Sequence, residues 1–189
     1  SLEQESDLLS LIFGAGSYVS LYDLLEKLDA LKLDKEVKEI YINITKFSPS
    51  YSAMWEVRDK LAELKSFGKK IIVYSEGYSI RNYHLASVAD EILIEPMGEV
   101  LLEGFASARS YYKNFMDKYG IGFEEIRLFK YKSAAESYSR TNFSEGEKEQ
   151  RQKLIDDLYE YARQEISLAR NISNNEFDNI VENNLFLTA

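Results

Sequence analysis

The chain contains no cysteine among its 189 residues. This absence excludes disulfides, cysteine nucleophiles and thiolate metal sites. Histidine is nearly absent as well, since His84 is the only one, and any serine–histidine–acid triad would have to use it. Because no Gly-x-Ser-x-Gly elbow is present to supply the serine, we favour a half-buried aromatic role for His84 over a role as general base.

Positive charge and long apolar runs are also scarce. Lysine and arginine number 23 against 32 acidic residues, which gives a formal net charge of -9. This balance argues against a nucleic-acid partner, because binding phosphates requires a basic surface. No apolar run reaches the ~18 residues that span a bilayer, and the chain begins Ser1-Leu2-Glu3 without a signal-peptide pattern. We therefore expect a piece of a longer protein, with any membrane anchor outside it.

The patterns that are present alternate between strand and helix, which is typical of an α/β fold. Residues 1–19 are predicted to be a flexible N-terminal segment, and 20–189 a single domain with a sizeable core. Ser20 is a predicted helix N-cap, Gly68 a C-terminal helix stop and Ser144–Glu147 a capping box. Predicted strands cover 37–44 (largely buried), 71–74, 91–95, 100–105 and 123–129.

Lys132 carries the most informative local chemistry. It follows the predicted strand 123–129 and lies among aromatic and small residues, where burial could turn the ammonium into a usable base. A working base requires the lysine pKa to fall from ~10.4 to ~7–8, which corresponds to about 4 kcal/mol. The competing interpretation pairs Lys132 with Glu136, four residues on, on a helix surface. Composition and spacing alone favour this surface pair, because buried lysine is rare.

Three sets of residues, in a consistent order over roughly residues 20–172, match the pattern of one known family. The first is Tyr83–Ile92, which is similar to a Tyr-Tyr-x-Ala-x-x-Ala-Asp-x-Ile run. The second comprises Gly98–Phe105, Tyr111-Tyr112-Lys113 and Asp117-Lys118. The third is Tyr131-Lys132-Ser133-Ala134. This ordered set resembles the signal peptide peptidase A (protease IV) family, in which the third segment carries the catalytic lysine, and the best match is the N-terminal half of its long, tandem-domain form.

This resemblance implies a crotonase-like (Clp protease/crotonase) fold of repeated ββα units, truncated at both ends. It also implies a serine endopeptidase with a Ser/Lys dyad that degrades released signal peptides, with Lys132 as general base. No cofactor and no metal ion are predicted. The implied partners are a C-terminal catalytic domain of the same protein, an apolar signal-peptide substrate and further copies in a homo-oligomer. The implied location is the extracytoplasmic face of the bacterial inner membrane.

The sequence departs from the family pattern at two places. Counting back from Ala89-Asp90, the family's nucleophilic serine falls at Ile80, and its following glycines fall at Arg81 and Asn82. The Ser-Pro-Gly-Gly stretch of the oxyanion hole is Ser48-Pro49-Ser50-Tyr51 here. We therefore expect the serine to come from another domain and the isolated chain to be inactive. A non-catalytic assembly domain and an acyl-CoA enzyme of the crotonase group remain as alternatives, and the missing glycines argue against the second.

Overall fold

The computed structural model describes residues 20–183 and 187–188 of the chain, so the predicted flexible segment 1–19 lies outside the described residues. The chain divides into two compact units. The first unit contains the described residues up to Glu103 and from Ala162 onwards, and the second unit contains Gly104–Tyr161. Each unit is described separately below.

The first unit is built on two three-stranded sheets. In one sheet, β1 (Glu39–Asn43) and β4 (Glu91–Ile94) flank β2 (Lys70–Ser75), and all pairs are parallel. In the other, β5 (Glu99–Leu101) pairs in parallel with β3 (Tyr78–Ser79) and antiparallel with β6 (Leu187–Thr188). Parallel strands need a crossover connection, and helices provide it here.

Helices of this unit begin and end where local chemistry directs them. Helix α1 (Leu21–Lys32) begins at the predicted N-cap Ser20, whose hydroxyl accepts a hydrogen bond from the Asp23 amide at 3.1 Å. Helix α2 (Tyr51–Ser66) ends just before Gly68, whose φ of 82° is the left-handed conformation that favours glycine. Among the described residues, this unit also contains α3 (Ile80–Ala86), the end of the long helix Glu145–Arg170 and α7 (Asn174–Asn183).

The core of the first unit lies between helix α2 and the sheet of β1, β2 and β4. Alternate residues of β2 are buried, as expected for a strand with one covered face. Strand β1 was predicted to be largely buried, but only Ile40 is buried in it, and Tyr41 is 59% exposed. The fully buried apolar side chains include Leu61, Leu64, Ile71 and Val73.

The second unit is mainly irregular. It contains the short helices α4 (Lys113–Lys118) and α5 (Glu136–Ser139) and the first part of α6 (Glu145–Arg170). The predicted strand 123–129 is wrong, because this stretch contains no strand. Its apolar side chains face solvent, with Ile126 93% and Leu128 80% exposed. The predicted strand 100–105 is also too long, since β5 ends at Leu101.

Candidate functional site

Lys132 lies at the end of a turn in the second unit. The turn closes with a hydrogen bond of 3.2 Å from the Lys132 amide to the Phe129 carbonyl. Gly146, in the first turn of α6, lets this turn approach the helix closely. A Cβ at position 146 would lie 2.7 Å from the Lys130 carbonyl oxygen, so a larger residue would push the turn away.

The Lys132 side chain is exposed and lines an open cleft of about 840 Å³. The cleft is formed by two stretches of the second unit, 123–126 and 131–135, together with Arg109 and Arg151. Among the residues that the structure describes, the Lys132 amine has no hydrogen-bond or ion-pair partner. The predicted pair with Glu136 is therefore not formed.

Lys130, two residues earlier, is in a different situation. Its amine donates to a Glu149 carboxylate oxygen at 2.6 Å, and the Tyr131 hydroxyl donates to the same oxygen at 3.2 Å. The hydrogen bond from Glu149 raises the pKa of Lys130, because the carboxylate stabilises the charged amine. The two lysines of this segment thus differ: Lys130 is held in its protonated form, and Lys132 points into the cleft without an acidic partner.

Two buried carboxylates fix the segment that follows Lys132. Glu136, fully buried at the start of α5, accepts the Ser144 amide at 3.1 Å and pairs with Arg127 at 2.6 Å. Burial alone would raise the pKa of Glu136, but the hydrogen bonds from Ser144 and the Arg127 ion pair outweigh it and lower this pKa. Glu147, at the start of α6, is 1% exposed and binds Arg109 and Arg151.

Position 80 of the first unit is occupied by a buried apolar side chain. Ile80 begins helix α3 directly after β3 and is 2% exposed. The preceding Ser79 is the N-cap of this helix, because its hydroxyl accepts the Asn82 amide at 3.4 Å. Neither side chain is arranged as a nucleophile, since the first has no reactive atom and the second is committed to the helix start.

The stretch 48–51 likewise serves a structural purpose. Ser50 is the N-cap of α2, and its hydroxyl accepts the Ala53 amide at 3.3 Å. The Tyr51 hydroxyl lies 2.9 Å from Nδ1 of His84. Tyr51 thus occupies the place where the family pattern has a glycine, and its side chain contributes to the polar network around His84.

His84 is a polar centre rather than the half-buried packing residue predicted from the sequence. It is 2% exposed, and its Nε2 lies 2.5 Å from the Glu165 carboxylate, which also pairs with Arg58 at 2.9 Å. Burial lowers the pKa of His84 despite the hydrogen bond to Glu165, so the ring is neutral at neutral pH. The neutral ring donates a hydrogen bond from Nε2 to Glu165 and accepts one at Nδ1 from the Tyr51 hydroxyl, so both ring nitrogens have a partner.

Burial also raises the pKa of Tyr51 to about 12, which makes its hydroxyl a poor nucleophile. Tyr51, His84 and Glu165 are therefore connected in the order of a hydrolytic triad, but they form a buried hydrogen-bond network with a structural role. Sequence reasoning missed it because the partners of His84 lie 33 and 81 residues away.

Neither a metal site nor a membrane-spanning helix is found in the described part of the chain. No three acidic or histidine side chains there converge in a way that could hold a metal ion. No helix within residues 20–183 combines the length and apolar character needed to cross a bilayer.

Comparisons with known proteins identify the family. Residues 63–189 match the model of peptidase family S49. The chain is 31% identical over 167 residues to Protease 4 of Salmonella typhi, covering 86% of this chain and 27% of that protein. It is 27% identical over 155 residues to Protease 4 of Haemophilus influenzae, covering 82% and 25%. It is 26% identical over 183 residues to the chloroplastic serine protease SPPA of Arabidopsis thaliana, covering 97% and 27%.

The chain thus spans about a quarter of the length of these curated relatives. Among solved structures, Pseudomonas aeruginosa DspI is similar with 13% identity and a TM-score of 0.32, covering 86% of this chain and 78% of that one. The family match, which extends over more than half of the residues, confirms the resemblance and its ClpP/crotonase-like α/β fold. The chain therefore belongs to peptidase family S49.

Proposed function

We propose that this chain is the lysine-bearing domain of a serine peptidase that degrades released signal peptides, with Lys132 as the general base. The observation that carries the proposal is that Lys132 lines an open cleft and that its amine has no acidic partner among the described residues. Lys130 is the weaker candidate, because its amine is committed to Glu149, whose hydrogen bond raises the pKa of Lys130.

In the proposed reaction, the neutral Nζ of Lys132 accepts the proton of a serine hydroxyl while the serine oxygen bonds to the scissile carbonyl carbon. The lysine then gives this proton to the leaving nitrogen as the carbon–nitrogen bond breaks. Water then attacks the acyl carbon and gives a proton to Lys132, which passes it to the serine oxygen as the ester carbon–oxygen bond breaks and the carboxylic acid product leaves. The serine comes from a C-terminal catalytic domain, because position 80 of this chain carries a buried isoleucine.

The exposed apolar side chains of the second unit support the proposed partners. Large exposed apolar surfaces mark sites of protein or peptide contact. We assign these contacts to the C-terminal domain, to further copies in a homo-oligomer and to an extended apolar signal peptide, and we place the whole protein at the extracytoplasmic face of a bacterial inner membrane. The most exposed of these side chains are Phe115, Tyr119, Ile126, Leu128 and Phe129.

The proposal is tested by Lys132→Arg in the full-length protein, with cleavage of a synthetic signal peptide followed by mass spectrometry. Arginine keeps the positive charge but does not deprotonate, so we expect cleavage to be lost while circular dichroism stays unchanged. Lys130→Arg is the matched control and should keep most activity, because its ion pair with Glu149 survives. Near-normal cleavage by Lys132→Arg would refute the proposal, and so would loss of cleavage in Lys130→Arg alone.

A second candidate is a non-catalytic assembly domain of such a peptidase. The buried Ile80 and the solvent exposure of Lys132 both favour it. The same pair of variants separates the two functions. An assembly domain predicts that Lys132→Arg cleaves normally, and that deletion of this domain changes the sedimentation of the full-length protein.

A further inference from the structure

Arg109 holds the segment that follows Lys132 through its whole guanidinium group. Nε donates to the Ser137 hydroxyl at 2.7 Å. One terminal nitrogen donates to the Ser133 carbonyl at 2.9 Å, and the other donates to the Ala134 carbonyl at 2.6 Å. The two carbonyls belong to the residues directly after Lys132, so Arg109 fixes the backbone from which the lysine side chain projects.

Glu147 fixes Arg109 in turn. Its buried carboxylate pairs with Arg109 and accepts Nε of Arg151 at 2.9 Å and the Tyr111 hydroxyl at 3.1 Å. A buried carboxylate with several donors holds each of them strongly, because moving one away leaves charge unpaired in a dry environment. The position of the Lys132 backbone is therefore linked to helix α6 through Arg109.

Arg109 lines the cleft but has little capacity left to bind a ligand. An arginine has five N–H donors. Four of them are used: one on the Ser137 hydroxyl, two on the carbonyls of Ser133 and Ala134, and one on Glu147. One N–H is left over, on the terminal nitrogen that binds the Ala134 carbonyl, so most of the guanidinium is committed to this segment and acts on the reaction through the backbone.

We propose that Arg109 is a positioning residue for Lys132, which rests on the proposed function of that lysine. The fork geometry of the guanidinium is essential, since it reaches two carbonyls, a hydroxyl and a carboxylate at once. A lysine at this position keeps the charge but presents a single ammonium, which does not span these four acceptors. The segment after Lys132 then loses its fixed geometry.

The test compares Arg109→Lys with the wild type in the full-length protein, by kcat, KM and amide hydrogen exchange of the stretch 132–137. Small displacements of a catalytic group cost up to about 100-fold in rate. We expect kcat to fall about 10- to 100-fold with KM within about twofold, and hydrogen exchange of 132–137 to become faster. The pH at which kcat/KM is half-maximal should stay unchanged, because the positive charge is retained.

Arg163→Lys is the matched control, since the Arg163 guanidinium is also held by two of its nitrogens, on the Asp178 carboxylate, and does not line the cleft. It should leave kcat and the exchange of 132–137 at wild-type values. Arg109→Lys with kcat near the wild-type value, in a protein that Lys132→Arg inactivates, overturns this inference alone. A rise in KM at constant kcat also overturns it, because that pattern shows substrate binding. Near-normal cleavage by Lys132→Arg overturns the proposed function and this inference together.

Discussion

Replacing Glu165 with alanine tests the buried network around His84 directly. The Glu165 carboxylate binds Nε2 of His84 at 2.5 Å and the Arg58 guanidinium at 2.9 Å. Arg58 and His84 are both buried. The substitution removes this carboxylate from both groups in the interior of the first unit, where Arg58 keeps the His84 carbonyl at 3.1 Å and a longer ion pair with Asp59 at 3.9 Å.

The magnitude follows from this geometry. Removing one member of a buried ion pair costs about 3–5 kcal/mol, because the remaining charge is left unpaired. The Glu165 side chain is 24% exposed, so water reaches part of the vacated space. We therefore expect the free energy of unfolding to fall by about 2–3 kcal/mol, out of the 5–15 kcal/mol that is typical of folded domains. For a chain of this size, that loss lowers the melting temperature by about 4–12 °C.

The assay uses the fluorescence of Trp55, the only tryptophan of the chain. Its ring centre lies 6.2 Å from that of His84, so its emission reports on the network and on the unfolding of the first unit in urea. The control is Glu182→Ala, an exposed acid on helix α7, which should change stability by less than about 0.5 kcal/mol. An unfolding midpoint and a Trp55 emission equal to wild type in Glu165→Ala would refute the network.

Two further predictions concern the same unit. The lowered pKa of His84 means that the unfolded chain binds a proton that the folded chain does not; stability is therefore complete above the ordinary histidine pKa of about 6.5 and falls as the pH drops below it. Because His84 is the only histidine, we expect the urea midpoint of His84→Gln to change less with pH between 6.5 and 5 than that of the wild type. The same dependence on pH in both proteins would contradict the buried neutral ring. Asn171 ends helix α6 with a φ of 54°, so Asn171→Ala should cost about 0.5–1 kcal/mol while Asn171→Gly equals or exceeds wild type; equal stability of the alanine and glycine variants would contradict this conformation.

Local patterns predicted the parts of the fold that local chemistry determines. The Ser20 cap, the helix stop at Gly68 and the hydroxyl half of the Ser144–Glu147 capping box are all present. The other half of that box is not formed, because the Ser144 amide is taken by Glu136 instead. A cap depends on three or four neighbouring residues, and for this reason the sequence specifies it well.

The stretch 123–129 shows where such reasoning fails. Ile126 and Leu128 have the two-residue spacing of a strand, but a strand also needs a neighbouring strand to bind its backbone. In this stretch, ionic contacts determine the conformation: Glu125 accepts the Ser139 hydroxyl at 2.5 Å, and Arg127 binds Glu125 and Glu136. The apolar spacing therefore predicted a strand with a buried face, whereas these side chains are exposed in the structure.

The sequence singled out Lys132 as a candidate but did not predict what surrounds it. The expected pair with Glu136 assumed a helix through both residues, whereas α5 begins only at Glu136 and its carboxylate turns to Arg127 and Ser144. Arg109, which holds this segment, lies 24 positions before Ser133 in the sequence. Glu147, which holds Arg109, lies 38 positions after it. A motif of four residues marks a lysine by type, but its placement depends on contacts between distant residues, which only the fold brings together.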